Sequence, residues 1–113
     1  MNSILTSIKK LLGIAEEYEH FDGDIITYIN STFATLNQLG VGPSTGFFII
    51  DSSSKWNDFI VSEVVQKLAI SYTHLKVKLV FDPPSSSAVT DAIKKSVDEL
   101  EWRILFEVEK TLS

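Results

Sequence analysis

The chain has 113 residues, 44% of them hydrophobic and 22% charged, with a net charge of -5 and no cysteine. That length fits one domain with a core large enough to need no metal or disulfide staple. The missing cysteines exclude disulfides, thiolate metal sites and thiol nucleophiles together and agree with an intracellular life, and the negative charge excludes phosphate attraction as a driver of non-specific nucleic-acid binding. Lys9 and Lys10 interrupt any apolar run at the N-terminus, so no secretory signal is expected there. No stretch approaches the roughly 20 apolar residues of a membrane span. Asn30-Ser31-Thr32 matches a glycosylation acceptor, and without an export signal it reads as chance.

The periodicity predicts a mainly α fold, a small bundle of about four helices with a long C-terminal helix and an irregular central loop. The first helix is expected from about Ser3 to Leu12, with Ile4, Leu5, Ile8, Leu11 and Leu12 on one face and Ser3 as N-cap. Gly13 and then Ile14 supply a glycine-type ending. This helix is too short to be stable alone, so it must dock on protein. Its two lysines make too thin a basic face for a membrane-surface anchor.

The second helix is expected from about Gly23 to Leu39, capped by Asp22, with Ile25, Ile29, Phe33 and Leu36 facing inward and Ile26 widening the face. Leu39-Gly40-Val41 repeats the ending of the first helix, and Pro43 prevents continuation. From Gly42 to Ser54 the chain is irregular. Phe47-Phe48-Ile49-Ile50 reads either as a short strand or as extended chain, and Ser52 to Ser54 can cap a short helical turn carrying Trp56 and Phe59.

The third helix is expected from about Val61 to Val80, with Val61, Val64, Val65, Leu68, Tyr72, Leu75 and Leu79 as its apolar set. Asp82-Pro83-Pro84 stops it. Ser85 to Ser87 offer caps for a fourth helix reaching about Glu109, with Val89, Ile93, Val97, Leu100 and Ile104 inward. A helix of that length outreaches the core of so small a chain, so its far end is expected to project or to be covered by another protomer. Residues 104–113 are read as a projecting or flexible tail of the one domain, 1–113.

Charges are uneven. Glu16, Glu17, Glu19, Asp22 and Asp24 form an acidic run, Lys67, Lys76 and Lys78 a basic one, and Asp98, Glu99, Glu101, Glu107 and Glu109 a second acidic region. These are either solvated helix faces or two complementary patches, and a head-to-tail ring needs two unlike surfaces.

No catalytic constellation emerges. Gly40-Val41-Gly42 lacks the third glycine, the lysine and the strand-to-helix setting of a phosphate loop. His74 sits beside an apolar face, where a histidine is structural, and His20 lies among carboxylates in a loop. Glu17, Glu19, Asp22 and Asp24 could offer oxygen ligands, but no glutamate closes an EF-hand loop, and a capping aspartate in a solvated loop explains them. No catalytic residue, cofactor or metal site is assigned. Glu99 and Arg103, four apart, are expected to pair on the surface. Trp56 and Trp102 read as core aromatics or as interface anchors. The candidate protein-interface residues are Phe47, Phe48, Trp56, Trp102, Ile104 and Phe106.

Three stretches together resemble the head–tail connector (adaptor, or head-completion) proteins of tailed bacteriophages and prophages. They are Leu5 to Ile14 with Phe21 to Ile26 and Ile29-Asn30, Leu36 to Pro43, and Leu75 to Pro84 with Ser86-Ser87-Ala88 and Glu99 to Arg103. Phe81-Asp82-Pro83-Pro84 and Glu99-Leu100-Glu101-Trp102-Arg103 are the most specific pieces. The resemblance implies a non-enzymatic virion structural protein, a homo-oligomeric ring of about a dozen copies under the portal vertex. It implies the portal protein as partner on one side and the next head-completion or tail protein on the other, with DNA passing non-specifically through the channel. Acidic channel walls would let DNA slide. Such a protein assembles in the host bacterial cytoplasm and ends at the virion head–tail junction. The long fourth helix and the Gly42 to Phe59 loop are expected to pack between neighbours, and removal of 104–113 to abolish portal binding while leaving the monomer folded. Set against this is a non-catalytic helical module of the host that binds a partner helix. A DNA-binding helix pair over Val61 to Val80 and Ser85 to Glu109 is disfavoured by its acidic second helix.

Overall fold

The computed structural model describes residues 3–112, with side chains through Lys110. Five helices occupy them: α1 Ile4–Leu11, α2 Asp22–Gln38, α3 Trp56–Phe59, α4 Glu63–Phe81 and α5 Ser87–Leu112. No strand forms among the described residues; one isolated antiparallel bridge joins Ser3 to Lys55.

The caps follow local chemistry. Ser3 Oγ accepts from Thr6 N, Ser62 Oγ from Val65 N and Ser86 Oγ from Val89 N. Asp22 opens α2 from inside the helix and Phe21 takes the cap position without a side-chain bond, so the expected Asp22 cap is displaced by one residue. The reason is Lys9, which holds the Asp22 carboxylate elsewhere. The turn at α3 is closed by the Asp58 carboxylate, which accepts from Lys55 N, and not by Ser52 to Ser54. Gly13 and Gly40 take positive φ after α1 and α2, the ending that Leu-Gly-aliphatic spells in both places.

One core gathers α1, α2, α3, α4 and two residues of α5. Ile4, Ile8, Ile25, Ile29, Phe33, Leu36, Trp56 and Tyr72 are all fully buried in it. α4 is its central member, packed against both α2 and α5 and touched by α1. This changes the expected α4 face. Val65 and Tyr72 are buried, but Ala69, Thr73 and Val77 are buried as well, while Val61 and Val64 are exposed. A helix sandwiched between two others buries two faces, and a single apolar stripe identifies only one of them.

α5 covers α4 alone for most of its length. Its buried positions, Val97 and Ile104, belong to the expected stripe. Tyr72 Oη donates to Glu101 Oε2 at 2.7 Å and fixes the register of the two helices. Burial first, and the Glu101 carboxylate second, hold the Tyr72 hydroxyl far above its ordinary pKa. α5 is about 39 Å long, close to the 43 Å longest dimension of the molecule. Its far end does not leave the core: Ile104 is fully buried and Val108 packs beside Gly40. Ser113, at the end of the 104–113 tail, lies outside the described residues.

Candidate assembly interface

The apolar run Phe47 to Ile50 does not pair as a strand, because a side chain from α2 takes the place of a partner strand. Asn30 Nδ2 donates to Ile49 O at 2.9 Å and Asn30 Oδ1 accepts from Ile49 N at 2.8 Å. One amide can serve the N–H and C=O of the same residue only where the backbone is extended and both groups point the same way. Side chains then alternate. Phe47 stacks on Phe59 at 5.0 Å and Ile49 is buried, whereas Phe48 and Ile50 face outward, 62% and 83% exposed. The remainder of the loop is hooked to α1: Ser3 Oγ donates to Ser52 O and Ile4 N to Ser54 O.

A second apolar surface lies on the other side of α4. Trp102 and Phe106 are one helical turn apart on α5, 75% and 55% exposed. Val64 and Leu68, a turn apart on α4, face them across a groove of about 340 Å³ whose walls also include Arg103 and Glu107. Arg103 pairs with Glu99 at 3.0 Å, as the spacing predicts. A third apolar depression, of about 450 Å³, lies at the same end of the molecule, between Gly40 to Pro43, Phe59 to Ser62, Val65 and Val108.

Four of the six sequence candidates therefore reach the surface at least in part: Phe48, Trp102 and Phe106 openly, Phe47 by its edge. Trp56 and Ile104 do not. Trp56 is buried against Phe33, ring centroids 5.8 Å apart, and Ile104 points from α5 into the core. Neither presents a side chain to a neighbour in this conformation. Sequence reasoning passed over Ile50, Val61 and Val64, each half or more exposed. Val61 and Val64 carry a helical spacing that counts them as core, and only the position of α5 reveals otherwise.

The acidic run is organised by a cation. Lys9 is 2% exposed, and its Nζ lies 2.8 Å from Asp22 Oδ1. The same ammonium donates to Glu16 O at 2.9 Å and Tyr18 O at 2.7 Å. Among the described residues no three His, Cys, Asp or Glu side chains cluster as metal ligands. No helix among them is long and apolar enough to cross a membrane.

The molecule is a mainly helical slab whose uncovered features are apolar ridges on unlike flanks, surfaces of the kind that meet other proteins. The chain belongs to the phage connector protein family, whose model matches residues 4–111. It is a structural phage protein that works with other phage head and tail proteins. No curated protein and no solved structure matches the chain.

Proposed function

We propose that this protein is a subunit of the ring that joins the phage portal to the tail, with DNA passing through the channel. The observation that carries this reading is the pairing of family membership over residues 4–111 with a large unpartnered aromatic surface at Trp102 and Phe106. A monomer rarely leaves a tryptophan and a phenylalanine so exposed beside an apolar groove, and such aromatics are the anchors of protein interfaces. The two flanks of α4 carry different surfaces, which is what a closed head-to-tail ring of about a dozen copies requires.

The portal binds one rim of the ring and the next head-completion or tail protein the other, and the ring assembles in the host cytoplasm before residing at the head–tail junction. The net charge of -5 suits a channel that repels DNA and lets it slide. The C-terminal end of α5 contributes to portal docking through its exposed side chains. Because Ile104 belongs to the core, removal of residues from 104 onward would open the fold, so Leu105→Ser, at an exposed position outside the Trp102–Phe106 groove, is the appropriate variant. Phage lacking the protein should accumulate filled heads and free tails that do not join, seen directly by electron microscopy. Normal virions from such phage would contradict the reading.

A further inference from the structure

We propose that the groove between Val64, Leu68, Trp102 and Phe106 receives the Phe48–Ile50 segment of a second copy of this chain. This rests on the ring reading above and names the contact between neighbours.

The two surfaces lie on different sides of the subunit. The loop rests on α1 and α2, through Ser3, Ile4 and Asn30, while the groove is built by α5 with the outer face of α4. One subunit therefore cannot satisfy itself, and a contact between loop and groove repeats from copy to copy. The loop is also preorganised. Asn30 fixes the backbone at Ile49 on both sides, so Phe48 and Ile50 are held outward on the same face of an extended chain. An ordered segment loses little conformational freedom on docking.

The groove is the complementary part. Two pairs of apolar side chains at one-turn spacing, on adjacent helices, leave an apolar floor with a charged rim. The charges agree with this occupant. Asp51 follows Ile50 and is exposed; its Oδ1 is taken by Ser53, whose N and Oγ both donate to it, and its Oδ2 makes no bond among the described residues. Arg103 on the groove rim directs Nε and Nη2 to the single oxygen Glu99 Oε1, which leaves further guanidinium donors for a second carboxylate. Asp51 of one copy and Arg103 of the next form the ion pair that sets the register.

The chain has no cysteine of its own, so single cysteines can be introduced cleanly. Ile50→Cys and Val64→Cys change exposed side chains and leave the core intact. Mixed after separate purification and oxidised under assembly conditions, with portal present, the two variants should give a mixed disulfide dimer. Neither variant alone should do so. Arg103→Asp should raise the concentration for half-assembly about tenfold, and adding Asp51→Arg should restore most of it. Rings that form at normal mass with no mixed crosslink and no charge-swap rescue would overturn this contact and leave the ring reading standing. A crosslink in Ile50→Cys alone would overturn it in favour of a symmetric loop-to-loop pair. No ring-sized species with or without portal would overturn both.

Discussion

The buried ammonium of Lys9 lies 2.8 Å from the Asp22 carboxylate and reaches the carbonyls of Glu16 and Tyr18 as well, so one side chain ties α1 to the start of α2 and to the loop between them. The ammonium donates to both carbonyls and sits at ion-pair distance from the carboxylate, which is what makes a buried cation tolerable. Lys9→Met removes the cation and keeps the stem. It leaves two carbonyls and a quarter-exposed carboxylate unmatched. The expected loss is about 3 kcal/mol, read from the urea midpoint. A loss below about 1 kcal/mol would show that water replaces the ammonium at little cost.

Asn30 substitutes for a partner strand at Ile49. Asn30→Ala removes both bonds, at a cost of about 2 kcal/mol in global stability. It also frees Phe48 and Ile50 from their fixed outward pose. Amide exchange at Ile49 should rise more than exchange in α4, and assembly should weaken further than stability alone accounts for.

Gly42 has φ of +81°, and a Cβ there would lie 2.5 Å from Cε1 of Phe59. That ring stacks on Phe47 and sits 4.3 Å from Phe33, centroid to centroid. Gly42→Ala incurs left-handed strain and displaces Phe59, for a loss of about 2 kcal/mol or more. Thermal unfolding measures it.

Thr73 Oγ1 is buried and makes no hydrogen bond among the described residues. Thr73→Val exchanges an unsatisfied hydroxyl for a methyl of nearly the same shape, so the protein should gain about 1 kcal/mol. This is a substitution in the centre of α4 that stabilises, a direction opposite to most core changes.

His74 is held below its ordinary pKa, by burial first and then by the charge of Lys78, with a backbone bond at Leu11 opposing. The unfolded chain takes up its proton near pH 6.5, above the folded value. As pH falls through that range the unfolded state binds more protons and the folded state loses stability. The urea midpoint should therefore be flat above neutrality and fall below about pH 6.5. His74→Gln should flatten this slope.

The elements of this fold were legible because three local signals coincide. Serine caps, Leu-Gly-aliphatic endings and the Asp82-Pro83-Pro84 stop bound α1, α2 and α4 within a residue or two, whereas α5 runs to Leu112, past the expected end at Glu109. The inward face of α2 is the one its spacing predicts, while α5 buries Val97 and Ile104 of its expected stripe and leaves Val89 exposed. The second buried face of α4 was not legible, since it depends on where α2 lies. The role of Lys9 had a signal that periodicity alone discards: it shares the face of Leu5 and Leu12, and an acidic run without its own base follows. The extended form of Phe47 to Ile50 was legible only as one of two readings. What decides it is Asn30, nineteen positions away from Ile49. Trp56 shows the limit most clearly: an aromatic in a loop-rich region serves core and interface equally well on paper, and only packing against Phe33 assigns it to the core.

The ring is tested most directly by the solution mass of the purified protein over a wide concentration range, with and without portal. The account predicts a ring-sized species, alone or on the portal, and its loss on Trp102→Asp. A monomer that ignores the portal at every concentration would contradict it.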